Sequence, residues 1–195
     1  MKSKPTYQAL NHKTDLELFQ LIKERDKGAL ETVFNRYYES LCRFGTTYEN
    51  DMDVIEEKVS DVFIHLWNAH ERLDQIKKPK PYLFVVVKHK LMEPVSYQKL
   101  KHTLDRGLED ERSSSPCIEQ EIIEQEQREM YVRRIQEVLD KIPKKSRQIF
   151  EMSRLDELKY KEISEILGVS IKTVENHMAI ALKTIRNMVV KNKQF

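Results

Sequence analysis

The chain has 195 residues, 39% hydrophobic and 34% charged, with 34 basic against 32 acidic side chains. That length suits one or two modest domains with cores of their own, and a net charge of +2 says little until it is resolved along the chain. Only four glycines (Gly28, Gly45, Gly107, Gly168) and six prolines occur. This argues against turn-rich β architectures, and no two glycines lie close enough to cradle a phosphate. Cys42 and Cys117 fit neither a disulfide framework nor a zinc spacing and read as reduced cytosolic thiols, Cys42 packed in a core. The N-terminus lacks a signal-peptide run, and the longest unbroken apolar stretch, Tyr82–Val87, is far short of the roughly 20 residues needed to span a bilayer. The expectation is a soluble cytoplasmic protein, all-α, with no direct membrane insertion.

Thr14 followed by Glu17 is a capping-box pattern. It opens a short helix with Leu16, Phe19 or Gln20, and Ile22–Lys23 around its face. Asp26 suits the cap of a second helix carrying Leu30, Val33, Phe34, Tyr37, Tyr38, Leu41 and Phe44. Asp53 with Glu56 repeats the cap signature before a third, striped by Ile55, Val59, Val62, Phe63, Leu66, Trp67 and Leu73. After a break at Asp74–Pro79, a fourth helix is expected from Pro81 until Pro94, which lacks the N–H to continue it. Residues Lys101–Cys117, with RSSSP and Gly107 amid acidic side chains, read as linker, with helix resuming near Glu119. Tyr131, Ile135, Val138, Leu139 and Ile142 stripe the next helix. Pro143 starts another, with Ile149, Phe150, Met152 and Leu155, followed by Lys159–Leu167 and a longer helix from Ile171 towards Lys191. Two small helical domains joined by a flexible acidic linker is the economical reading: residues 1–100, linker 101–127, and 128–195.

Charge sharpens that division. Residues 1–75 hold 10 basic and 14 acidic side chains, residues 76–102 hold 7 and 1, residues 103–128 hold 3 and 8, and residues 129–195 hold 14 and 9. Two basic blocks, one per domain, suggest two contacts with a polyanion. In the C-terminal block, Lys159–Arg186 has the make-up of a helix-turn-helix. Ile163, Ser164 and Leu167 lie on its first helix, Gly168 is at the turn, and Ser170 caps the second. Val174, Met178, Ala181, Leu182 and Ile185 should face inward. That leaves Lys172, Thr173, Asn176, His177 and Ile180 outward near the helix start, where a recognition helix meets base edges. In the other block, lysines between Lys77 and Lys101 interleave with Tyr82, Phe84, His89 and Tyr97. Such cations neutralise phosphates and aromatic faces stack on unpaired bases, although Phe84 reads as core. The six histidines form no ligand or nucleophile pattern, so neither a catalytic set, a metal site nor a cofactor is expected.

Two blocks resemble the extracytoplasmic-function sigma factors of the sigma-70 family, promoter-recognition subunits of bacterial RNA polymerase. LFQLIKERDKGALETVFNRYYESLCRFG, IEEKVSDVFIHLWNAHERL and KPYLFVVVKHKL resemble the family's region 2. VLDKIPKKSRQIFEMSRLDELKYKEISEILGVSIKTVENHMAIALKTIR resembles its region 4, and the KTVENH form is similar to members from Bacteroidetes. The resemblance implies a non-enzymatic initiation factor whose partners are core polymerase (the β′ clamp helices and the β subunit), promoter DNA and an anti-sigma factor. It implies polymerase docking through Asp61, His65 and Asn68. A melted −10 strand would be taken by Lys77, Lys78, Lys80, Tyr82, Lys88, His89 and Lys90, with Glu93 at a matching position. A −35 duplex would be read through Lys172, Thr173, Asn176 and His177, with Lys159, Lys161 and Arg147 on phosphates and Lys183 adding to the affinity. The chain departs from the family at Val85–Val87, where a polar pair is usual, at Pro94, and at Ile180 and Leu182, where many members carry basic residues. Two other readings stay open: a LuxR-like helix-turn-helix regulator, for which residues 15–91 have no use, and a degenerate sigma-like protein that binds polymerase without opening promoters.

Overall fold

The computed structural model describes residues 10–93, 133 and 135–191, with side chains as far as residue 188. Among these residues the regular structure is helical throughout. The N-terminal tail, Pro94, Cys117, the linker and both expected domain boundaries lie outside the described residues.

The first helix, α1 (Asp15–Lys23), starts as the capping box requires. Thr14 Oγ1 accepts from the Glu17 amide, and the Glu17 carboxylate accepts from the Thr14 amide at 2.7 Å, which holds that carboxyl below its usual range. Leu18, Phe19 and Ile22 are buried, whereas Leu16, expected on the packed face, points to solvent. The turn into α2 (Lys27–Gly45) places Arg25 at φ 65° without a glycine. Its guanidinium covers the Trp67 ring at 5.1 Å and donates to the Trp67 carbonyl at 3.2 Å, contacts that offset the cost of a left-handed residue. Asp26 caps α2 through the Ala29 amide, as expected.

Helix α3 (Met52–Asn68) is capped by Asp51, not Asp53: Asp51 Oδ1 accepts from the Asp53 amide at 3.0 Å. The Glu49 carboxylate in turn accepts from the amides of Asn50 and Asp51, shaping the turn one step upstream. A 3-10 turn, His70–Gln75, is tied to α1 by the Lys23–Asp74 ion pair. Helix α4 (Pro79–Met92) starts two residues before the expected Pro81, because a first-turn proline loses no hydrogen bond there. Apolar side chains recur around α4, which packs against α1, α2, α3 and a helix of the second domain and leaves His89 and Met92 exposed. Phe84, fully buried, meets Phe44 edge-on at 5.2 Å.

Gly45, at the end of α2, lies directly against Ile55 of α3. A Cβ there would lie 2.6 Å from Cγ2 of Ile55, a β-branched and fully buried side chain with no room to yield. Gly45→Ala is therefore expected to destabilise the domain by about 1–3 kcal/mol, read as a lower urea midpoint at unchanged slope.

In the C-terminal domain residues 135–140 are helical, followed by α5 (Lys144–Arg154), α6 (Tyr160–Leu167) and α7 (Ile171–Lys191). Ile149, Met152, Leu158, Ile163, Ile166, Val174, Met178 and Ala181 fill its core. Three expected core positions are corrected. Ile135 and Leu155 are mostly exposed, and Leu182 is 44% exposed. Leu182 lies about a quarter-turn off the line through Val174, Met178 and Ala181, at the edge of the packed stripe. The buried apolar interior runs continuously from one domain to the other, through α4 against α6.

Candidate nucleic-acid and polymerase interfaces

Gly168 adopts φ 72°, ψ 37°, ending α6 in the left-handed conformation that only glycine takes without a steric cost, and its amide donates to the Ser164 carbonyl. Ser170 then starts α7: its Oγ accepts from the Thr173 amide at 3.0 Å and pairs with the Thr173 hydroxyl at 2.8 Å. Thr173 is thus spent on the cap. Lys172, 77% exposed at its side chain, reaches Glu175; Asn176 and Lys183 are exposed on the same outward line. Ile180, exposed as expected, lies beside them. His177 sits at the edge of the packed stripe, and its Nδ1 hydrogen-bonds with the Oγ of buried Ser146 at 3.0 Å. Arg147 is drawn into the domain by Glu151 at 2.7 Å and Asp140 at 2.6 Å, which raise its pKa against the effect of burial. Lys161 is exposed. Lys159 is also exposed and stands at the cap of α6, where only the Glu162 half of a capping box forms, since lysine offers no acceptor.

The cations of the first domain are not presented on one face. Lys77 and His89 are exposed. Lys80 lies 5.9 Å from the Tyr37 ring, and burial raises the half-buried Tyr82 hydroxyl pKa. Lys90 faces Asp61 on α3 at 3.5 Å, so Asp61 turns towards α4, while His65 and Asn68 are open to solvent. Lys88 points at the other domain and donates to the carbonyls of Ile166 and Leu167 at 3.0 and 3.1 Å. Lys78, more than half exposed, stands 3.8 Å from Glu165 and 4.0 Å from Glu162.

One feature of α3 is not evident from its apolar spacing. Between α2 and α3 lies an apolar hollow of about 420 Å³, walled by Leu30, Phe34, Phe63, Ile64 and Trp67. Ile64 falls off the stripe through Val59, Val62, Phe63 and Leu66 and is 59% exposed. Its only sequence signal is an isoleucine on the polar side of an amphipathic helix. No group of His, Cys, Asp and Glu able to hold a metal occurs among the described residues, and no described helix is long and apolar enough to cross a membrane.

The family models describing Sigma-70 region 2 and Sigma-70 region 4 match residues 33–99 and 132–185 respectively. The RNA polymerase sigma factor NccH of Alcaligenes xylosoxydans xylosoxydans is 24% identical over 171 residues, covering 86% of this chain and 90% of that protein. A solved structure of CnrH in complex with the cytosolic domain of CnrY shares the fold, with a TM-score of 0.54 and 17% identity over 91% of this chain and 97% of CnrH. The region-2 match accounts for the half of the molecule that a LuxR-like regulator leaves without a role. With two regions of one family in order over more than half its length, the chain belongs to the sigma-70 family and is an RNA polymerase sigma factor of the extracytoplasmic-function type.

Proposed function

We propose that the N-terminal domain docks on the β′ clamp helices of core polymerase through the rim of α3, with Ile64 and Trp67 as apolar anchors and His65 and Asn68 as polar edge. Asp61 contributes by holding Lys90. The apolar hollow suits an amphipathic helical partner, which lays its apolar face into such a groove. The lysine-rich start and outer side of α4 (Lys77, Lys78, Lys80, Tyr82, Lys88, His89 and Lys90) then take the melted −10 strand, by charge on phosphates and a ring on an unstacked base. The β subunit holds the C-terminal domain over the −35 duplex. The protein acts in the cytoplasm as a non-enzymatic factor, the nucleotide chemistry staying with polymerase. CnrH is described with a bound cytosolic CnrY domain, which supports a comparable anti-sigma partner here. The KTVENH sequence supports a Bacteroidetes-like origin.

The observation that carries the −35 reading is the α6–Gly168–Ser170–α7 corner, which leaves the start of α7 free on one face with Lys172, Asn176 and Lys183 in line. Asn176 is the base reader, Lys172 and Lys183 anchor phosphates with Lys159 and Lys161, and His177 and Arg147 hold α7 and α5 in place. Asn176→Ala should cost about 1–3 kcal/mol at a single −35 base pair and relax the preference there. His177→Ala should weaken all promoters alike and lower the domain's stability by about 1 kcal/mol, the worth of the Ser146 bond. A promoter library transcribed with each variant separates the two; a shift in base preference from His177→Ala alone would exchange their roles.

A further inference from the structure

Trp67, the chain's only tryptophan, stands on the last turn of α3 and forms one wall of the apolar hollow between α2 and α3. Arg25, itself exposed, holds it twice. The guanidinium lies 5.1 Å from the ring centroid, and Nη1 donates to the Trp67 carbonyl at 3.2 Å. One side chain from the turn between α1 and α2 thus fixes both the ring and the backbone of a residue 42 positions away.

The backbone that aims Arg25 is not one that arginine prefers. The Arg25 amide donates to the Ile22 carbonyl and the Asp26 amide to the Leu21 carbonyl, both at 2.9 Å, the pair of bonds that ends a helix through a left-handed residue. Glycine serves such a turn without steric cost, whereas arginine at φ 65° sets its Cβ against the backbone. The turn by itself would close as well with glycine. Strained residues of this kind persist where something beyond the local turn uses them, and what Arg25 reaches is the wall of the hollow.

The hollow gives that wall a reason to be held. An open apolar space of about 420 Å³ gains free energy by closing on itself. Phe63 is buried, and Phe34 is fixed between Tyr38 and Phe63, with ring centroids 4.6 and 4.9 Å away. Trp67 is the largest side chain of the lining and only partly buried, so it is the one able to swing in and fill the space. We infer that Arg25 is a positioning residue for polymerase docking: by holding the Trp67 ring to the wall, it keeps the α2–α3 hollow open for the helix that enters it. This rests on the docking surface proposed above and assigns a role in it to a turn that lies outside that surface.

The test uses the full chain with Arg25→Gly and Arg25→Lys, and Ile64→Asp beside them. Relief of the left-handed strain should offset the lost contacts, so the glycine variant keeps a thermal midpoint within about 4 °C of the parent. Its tryptophan emission should shift to the blue and be quenched less by acrylamide, as the ring leaves water for the hollow. If the hollow is then open roughly a tenth of the time, affinity for core polymerase falls about ten-fold. Arg25→Lys, which keeps a cation near the ring, should fall between the two. A glycine variant with the parent's affinity would overturn the inference, as would a loss of affinity with the Trp67 spectrum unchanged. So would a loss matched by a steep fall in midpoint in both Arg25 variants, the mark of a merely structural arginine. If Ile64→Asp loses affinity and Arg25→Gly does not, only the role of Arg25 falls; if Ile64→Asp binds as the parent does, the docking surface falls with it.

Discussion

Replacing Phe84 with alanine is expected to unfold the N-terminal domain. Phe84 is fully buried at the meeting of α2 and α4, edge-on to Phe44, in a core also built from Leu41, Ile55, Leu83 and Val87. Truncating such an aromatic removes its transfer free energy and leaves a cavity that rigid helices collapse onto only in part, together about 3–5 kcal/mol. A small domain has only about 5–15 kcal/mol in all. The urea midpoint of this domain should fall steeply, and with it polymerase binding. Phe84→Leu, which refills most of the space, should restore much of the loss. If Phe84→Ala left the midpoint unchanged, α4 would not be packed as described.

The second large effect concerns binding rather than folding. Ile64 is mostly exposed at the mouth of the α2–α3 hollow, so Ile64→Asp should change stability by no more than about 0.5 kcal/mol. In the complex the same substitution places an unpaired charge against an apolar partner surface. Central anchors of this kind are worth about 2 kcal/mol or more, a loss of roughly 30-fold in affinity for core polymerase. DNA binding by the free chain should be untouched. Full retention of polymerase affinity would move the docking surface away from this hollow.

How far these features were legible in the sequence depends on whether their cause is local. The capping box at Thr14 and Glu17, the Asp26 cap, the left-handed Gly168 and the Ser170 cap all rest on neighbours within four residues, and the structure has each of them. Asp51 displaced Asp53 as a cap because Glu49, upstream of both, shapes the turn, a contribution that the cap pattern alone does not contain. Leu182 lies outside the packed face because a broad apolar stripe has edges, and the packing partner decides where they fall.

The site residues divide in the same way. The outward placement of Lys172, Asn176 and Lys183 follows from the period of one helix. The engagement of His177 by Ser146, of Asp61 by Lys90, and of Lys88 by the end of α6 depends on which helices meet, with sequence separations of 31, 29 and nearly 80 residues. Arg25 had no signal at all, because a left-handed arginine is tolerated only through the Trp67 contacts supplied by α3.

The central claim is that the two helical domains act together as a promoter-selecting subunit. Reconstitution with core RNA polymerase and a library of promoter fragments, with start sites sequenced in the presence and absence of the chain, tests it most directly. The account predicts a stable complex with core polymerase and a new set of start sites sharing spaced −35 and −10 elements, lost together with Ile64→Asp. Failure to associate with core polymerase, or association that yields no new start site, would contradict it.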